Sequence, residues 1–334
     1  MSDDLRVAVL GVGMMGSFHA STLSTAVKGA TVTVINDFSA GTAAKVSAGI
    51  PGSRVVADPF EAINADDVDA VVIATPGAAH EEQVLACLER GIPVLCEKPL
   101  TTGIDTAYRI VQREAELGRQ LIQLGFMRRF DTEYAELRAL IADGGLGAPL
   151  MVHCTHRNPD VPPHFNSEFM IRDSVVHEVD VVRFLLDTEI TAITVHKGLA
   201  TSRAPEGVND PMLVVFETST GAVATDEIYV RTGVAYEVRT EVVGETGSAL
   251  IGLDQNLVRT TTDGRWGGTL TPGFVQRFGA AYHAELQRWV NAARNGTIDG
   301  PGAWDGYAAV AVCEAGVEAV RTGQRVEVRM SPRP

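Results

Sequence analysis

Two residues in the second half of this chain have the types and spacing for moving a proton. Asp173 and His177 stand four apart in Asp173-Ser174-Val175-Val176-His177, which on a helix brings them to one face. A histidine accepts protons near neutrality, and a carboxylate beside it orients the ring and stabilises its charged form. Asp180, three residues on, is placed to support the pair from behind. The same spacing also suits a solvated acid–histidine pair, so the types alone leave both readings open. A third candidate is Lys98 in Glu97-Lys98-Pro99, directly after the apolar run Val94–Cys96. If that run is a strand of a parallel sheet, its carboxyl end faces a ligand crevice and not bulk water. A lysine there can donate to a reacting oxygen; otherwise it is an ordinary turn lysine. The Lys98–Pro99 bond is a candidate cis peptide.

The first half carries a phosphate-binding pattern. Gly11-Val12-Gly13-Met14-Met15-Gly16 comes after a short apolar run and opens a helical stretch. In that context the glycines permit a tight turn and let a pyrophosphate approach the helix N-terminus. Asp37 ends the next apolar run, roughly 20 residues on, where a carboxylate binds a ribose 2′-hydroxyl. No Arg or Lys lies within residues 36–40 to welcome a 2′-phosphate, so the pattern predicts NAD over NADP. Ala74-Thr75-Pro76 falls at another expected strand end, with His80 opening the next helix, where a local hydrogen-bonding role is the simpler reading.

Polar side chains also gather where a strand should stop. His153-Cys154-Thr155-His156-Arg157-Asn158 suits a hydroxyl-rich ligand, or a solvated strand end. Tyr236, on the apolar side of an alternating run, either reaches the same crevice or belongs to the core.

The elements that must position these residues change character near residue 150. Strands are predicted at Arg6–Leu10, Thr31–Asn36, Ala70–Thr75, Val94–Cys96 and Gln120–Leu124. Helices are predicted between them at Ser17–Val27, Thr42–Ala48, Glu81–Glu89 and Asp105–Leu117. Near-continuous apolar strands alternating with helices mean a doubly wound parallel sheet. Longer strands come next: Pro149–His156, Thr191–Lys197, Met212–Glu217, Val223–Val230, Tyr236–Val243 and Ala249–Leu253. Helices are expected at Glu168–Leu186, Gln276–Arg294 and Pro301–Thr322. The prediction is an N-terminal Rossmann domain over residues 1–123. An α+β domain over 124–334 carries a large, open, mainly antiparallel sheet.

Composition narrows the partners. The 334 residues carry a formal net charge of −14, spread along the chain. This disfavours nucleic acid and anionic membranes. Cys87, Cys96, Cys154 and Cys313 form no CxxC pair, so neither a zinc knuckle nor a redox dithiol is expected, and no metal is called for. No signal-peptide pattern or membrane-length apolar run is present, which points to the cytoplasm.

Together the glycine turn, Ala74-Thr75-Pro76 with His80, Glu97-Lys98-Pro99 and the Asp173…His177…Asp180 pattern resemble the Gfo/Idh/MocA family of oxidoreductases, over nearly the whole chain. Within it, residues 125–131, His153–Asn158 and Ser174–Glu178 are most similar to the members that oxidise myo-inositol at its 2-hydroxyl. The resemblance implies catalytic roles for Lys98, Asp173 and His177. It sets Gly11, Gly13, Met14, Met15, Gly16, Asp37, Thr75, Pro76, His80, Glu97 and Lys98 against NAD. Met127, His156, Asn158, Ser174 and Tyr236 join the catalytic set around the polyol. It further implies a homotetramer built through the open sheet. A dehydrogenase for aldoses or scyllo-inositol shares most of these residues, and a non-catalytic NAD-sensing protein would need only the first half.

Overall fold

The computed structural model describes residues 4–252, 259–260, 266–267 and 270–334. The chain divides into two compact units. One runs to Met127 and regains Tyr282–Val310 and Met330–Pro334; the other comprises Arg128–Ala281 and Ala311–Arg329. The chain therefore crosses back after its second unit begins, instead of passing once from one unit to the next near residue 124.

In the first unit the order is β1 (Leu5–Leu10), α1 (Met14–Thr25), β2 (Ala30–Asn36), α2 (Ala40–Ala48), β3 (Arg54–Val55), α3 (Pro59–Ile63) and β4 (Ala70–Ile73). Then come α4 (His80–Arg90), β5 (Val94–Cys96), α5 (Ile104–Leu117) and β6 (Ile122–Leu124). The strands form one parallel sheet in the order β3-β2-β1-β4-β5-β6. All of β4, β5 and β6 is buried, which explains the unbroken apolar sequence of β4 and β5; β6 carries the buried Gln123 between Ile122 and Leu124. Register decides where the loops emerge. Asn36, Leu10, Ile73, Cys96 and Leu124 form one row across five strands. Asp37, Gly11, Ala74 and Glu97 consequently leave the sheet side by side at its carboxyl edge. The returning segment closes one face: Leu286, Trp289 and Val290 share a buried cluster with Val7, Val9, Val32 and Ile35.

The second unit contains α6 (Thr132–Ala142), β7 (Pro149–Arg157), α7 (Ser167–Phe169), a π-helical segment (Met170–Val175) and α8 (Val176–Leu186). It continues with β8 (Ile190–Lys197), β9 (Met212–Thr218), β10 (Val223–Tyr229), β11 (Glu237–Gly244), β12 (Ser248–Ile251) and the short ribbon β13 (Arg259–Thr260) and β14 (Trp266–Gly267). α9 (Phe274–Arg294) and α10 (Ala303–Thr322) each contribute to both units, and β15 (Val326–Glu327) closes the order. The large sheet runs β12-β11-β7-β10-β9-β8-β15. Pairing is antiparallel except for β7 with β10. Alternation is strict in the middle: Ala224, Asp226 and Ile228 of β10 are buried, as are Val238, Thr240 and Val242 of β11. Their neighbours lie on a partly exposed face, where Arg157 pairs with Glu227 and Glu237 at 2.7–2.9 Å.

Several expectations are corrected. The helix expected over Glu168–Leu186 is broken by the π segment. Tyr236 precedes its strand, joined only by an isolated bridge to Thr271. The strand expected over Ala249–Leu253 runs Ser248–Ile251, and Leu253 lies outside the described residues. α1 begins three residues earlier than Ser17, at Met14. α6 has no counterpart among the expected helices. The four cysteines are free and buried, and burial pushes the thiols of Cys87, Cys96 and Cys154 well up, as for inert core residues.

Candidate active site

The glycine turn is built for a close approach. Gly11 adopts φ +76°, and a Cβ there would sit 2.6 Å from the Thr75 nitrogen. A Cβ on Gly16 would collide with the Gly11 carbonyl, whereas one on Gly13 would meet no protein atom within 4 Å. The outer glycines thus serve packing, and the middle one leaves space before the α1 N-terminus. Asp37 accepts from the Val12 nitrogen and the Ser39 nitrogen, both at 2.8 Å. Its carboxylate is thereby fixed beside the turn. This arrangement fits a dinucleotide: Gly13 leaves room for a pyrophosphate, and the Asp37 carboxylate could take a ribose hydroxyl. Met14 and Pro76 are exposed at this edge, and Met15 and Thr75 half-buried.

Two other residues support the edge from below. The buried His80 ring lies 2.7 Å from the Thr75 carbonyl through Nε2 and 2.8 Å from the Pro99 carbonyl through Nδ1. It ties the loop after β4 to the loop after β5, and burial lowers its pKa. Glu97 is held by His19 of α1, Nε2 to Oε1 at 2.7 Å, and its Oε2 accepts from the Lys98 nitrogen at 3.2 Å. His80 and Glu97, both expected against the cofactor, hold these loops in place. Lys98 is half-buried, and the Lys98–Pro99 bond is cis.

The second unit gathers the remaining candidates. Asp173 and Ser174 lie in the π segment, and His177 in the first turn of α8. Because a π turn has i→i+5 bonding, spacing alone does not set their relative direction. α10 braces this segment: Cys313 Sγ donates to the Ile171 carbonyl at 3.5 Å, and Arg172 Nη2 donates to Glu314 Oε2 at 3.1 Å. A Cβ on Gly316 would lie 2.8 Å from Ile171 Cγ2. The His156 ring centre is 6.3 Å from that of His177 and 5.8 Å from Tyr236, edge-on. Asn158 Oδ1 is buried without a hydrogen-bond partner among the described residues. Asp180 holds Arg129 through contacts of 2.6–3.1 Å. Met127, buried, ends the first unit.

Sequence reasoning missed the buried charges behind these rings. Arg128, Glu178 and Asp226 are at most 2% exposed. The only signals for them are a glutamate directly after His177 and an aspartate at an inward position of β10. His19 was also missed; only its place one turn into α1 marks it.

A parallel Rossmann unit with an acidic β2 end, joined to an α/β unit bearing a histidine cluster, defines the class of NAD-linked oxidoreductases. Residues 5–126 match the oxidoreductase-family NAD-binding Rossmann fold, and residues 138–328 match that family's C-terminal alpha/beta domain. An inositol 2-dehydrogenase of Rhodococcus erythropolis is 60% identical, covering 100% of this chain and 98% of its own. One from Rhodococcus jostii is 57% identical over 99% and 94%. The crystal structure of myo-inositol dehydrogenase from Lactobacillus casei in complex with NAD(H) and myo-inositol superposes with a TM-score of 0.94, at 31% identity and 99% and 98% coverage. The chain belongs to the Gfo/Idh/MocA oxidoreductase family.

Asp37 yields a cofactor prediction. NAD is used well ahead of NADP, and Asp37→Ala weakens NAD binding by about 10- to 100-fold, the range for a lost hydrogen bond to a charged group. Asp37→Asn, whose single amide oxygen can serve only one of the two backbone donors at Val12 and Ser39, is expected to lose a part of the same affinity. Titration of both cofactors checks this; equal turnover with the two by the unaltered protein excludes it.

Proposed function

We propose that this protein is an NAD-dependent inositol 2-dehydrogenase, oxidising the 2-hydroxyl of myo-inositol to the ketone. The observation that carries this reading is the grouping of His156, His177 and Tyr236, with the unpartnered Asn158 acceptor two residues beyond His156. Such a set offers several hydrogen-bonding groups to a ring of hydroxyls and one base to the hydroxyl that reacts.

NAD, when bound, supplies the hydride acceptor. His177 takes the hydroxyl proton as the carbon–hydrogen bond breaks, because a neutral imidazole is the group best matched to that transfer near neutral pH. Asp173 orients the imidazole and stabilises its cationic form. Lys98 donates to the reacting oxygen and steadies the negative charge that develops there. Ser174, Asn158, His156, Tyr236 and Met127 hold the polyol. The first unit is read as the NAD domain and the second as the substrate domain.

The test is oxidation of myo-inositol, scyllo-inositol and a set of aldoses with NAD, monitored by absorbance of the reduced cofactor. The proposal expects the highest kcat/KM with myo-inositol. A preference for an aldose or scyllo-inositol reassigns the substrate, and NAD binding without turnover of any polyol reassigns the protein as a sensor.

The open sheet face bears on assembly. Met151, Val223, Leu213 and Val215 bring apolar surface to it, between the charges of Arg157, Glu227 and Glu237. A face of this kind is stabilised by a second copy, and we assign a homotetramer, a dimer of dimers, in the cytoplasm. Light scattering at micromolar concentration is expected to give four times the chain mass; a monomer there refutes it.

A further inference from the structure

Behind the rings of the second unit lies a sealed cluster of four ionisable side chains. Arg128, Glu178, Asp226 and His156 are all 3% exposed or less. Arg128 Nη1 is paired with Glu178 Oε1. The other carboxylate oxygen, Glu178 Oε2, lies 3.1 Å from His156 Nδ1, and Arg128 Nη2 lies 3.4 Å from that same nitrogen.

A neutral imidazole has one N–H, and its neighbours decide where it sits. A carboxylate only accepts and a guanidinium only donates. Nδ1 can therefore serve Glu178 if it carries the proton, or Arg128 if it does not. The carboxylate contact is the shorter, and Arg128 already has an acceptor in Glu178. Glu178 is ionised: burial alone would raise its pKa, but the Arg128 guanidinium beside it holds it below the usual range. Asp226 is the other carboxyl in the cluster. Neither of its oxygens has a hydrogen-bond partner among the described residues, and burial with Glu178 nearby pushes its pKa well up. Its protonated form is favoured there, and no hydrogen bond ties it to Arg128 or His156 among the described residues. With Nδ1 protonated, Nε2 is a bare acceptor, and no hydrogen-bond partner for it is found among the described residues.

We propose that Arg128 and Glu178 are a positioning pair that fixes His156 with its proton on Nδ1, so that the polyol carbon facing His156 must carry a hydroxyl able to donate. Fluorine, a ketone oxygen or a methyl ether at that carbon can only accept, and would leave an acceptor facing an acceptor. The inference rests on the reading of His156 as a polyol contact. It adds the direction of that hydrogen bond and the residues that impose it.

Two measurements test it, and the first does not depend on turnover. Neutron diffraction from the deuterated full chain at neutral pH is expected to show a deuteron on Nδ1 of His156 and none on Nε2. A deuteron on Nε2 overturns the proposal even if the protein oxidises inositol. The second uses the monodeoxyfluoro-myo-inositols altered at positions other than the reacting one. At one position, fluorine is expected to lower kcat/KM by about 10- to 100-fold, the cost of leaving a buried acceptor unpaired. In His156→Phe the difference between parent and that analogue is expected to shrink to about twofold, the scatter of independent sites. In Glu178→Gln, nearly the same shape, whose amide can donate to Nδ1, it is expected to shrink with NAD affinity unchanged. Undiminished discrimination in His156→Phe removes the specificity role. Discrimination lost in His156→Phe but intact in a folded Glu178→Gln removes the positioning role. If no polyol is oxidised, the functional reading fails while the neutron result still decides the position of the proton.

Discussion

His177→Ala is expected to lower the turnover of myo-inositol by about two to four orders of magnitude, the usual range for a lost general base, with NAD affinity unchanged. The fold is the reason for this separation. His177 lies in the first turn of α8 in the second unit, whereas the glycine turn and Asp37 lie at the carboxyl edge of the first sheet. In the unaltered protein the rate falls as acid protonates the imidazole, since a protonated ring cannot accept the hydroxyl proton; in His177→Ala that acid limb is lost. Asp173→Asn keeps the shape but removes the charge that steadies the ring, and should fall between the two. Steady-state oxidation across pH, beside an NAD titration of the same variants, checks this. Near-native turnover in His177→Ala would make the histidine an ordinary structural residue and shift the base to Lys98.

Lys98→Ala is expected to reduce kcat by about 10²- to 10³-fold, the effect of deleting one donor to a developing oxyanion. The loop itself should persist. Its backbone is held by Glu97 Oε2 at the Lys98 nitrogen and by His80 at the Pro99 carbonyl, and neither contact uses the lysine side chain. Lys98→Arg retains a cation but spreads it over a planar fork, so it should recover only a part of the rate. Presteady-state measurement of the first turnover separates lost chemistry from slowed product release. A Lys98→Ala protein with unchanged kcat and a raised KM would recast the lysine as a binding group alone.

Much of the positioning is legible in the amino-acid sequence. Gly11-Val12-Gly13-Met14-Met15-Gly16 sits between a strand and a helix because Gly11 alone tolerates φ +76° against the Thr75 backbone. Asp37, Thr75 and Glu97 are legible as edge residues because buried parallel strands are short apolar runs, and the residues just past such a run emerge at the carboxyl end. Local chemistry and a single periodicity suffice for this, since each strand is specified by its own residues.

Other features depend on partners far away in the chain. The break of the expected helix at Met170–Val175 has no signal in that segment. It is accompanied by contacts from α10, about 140 residues on, where Cys313, Glu314 and Gly316 meet Ile171 and Arg172. The return of Leu286 and Trp289 to the first core is likewise a matter of tertiary packing, because an apolar helical face does not say which sheet it will cover. The parallel pairing of β7 with β10 is invisible in sequence because alternation reports which face is buried, not which strand lies alongside. Arg128, Glu178 and Asp226 go unread for the same reason. A charged residue in sequence reads as solvated, and only the fold, by enclosing two opposite charges and one further carboxyl together, gives a buried site where they can remain.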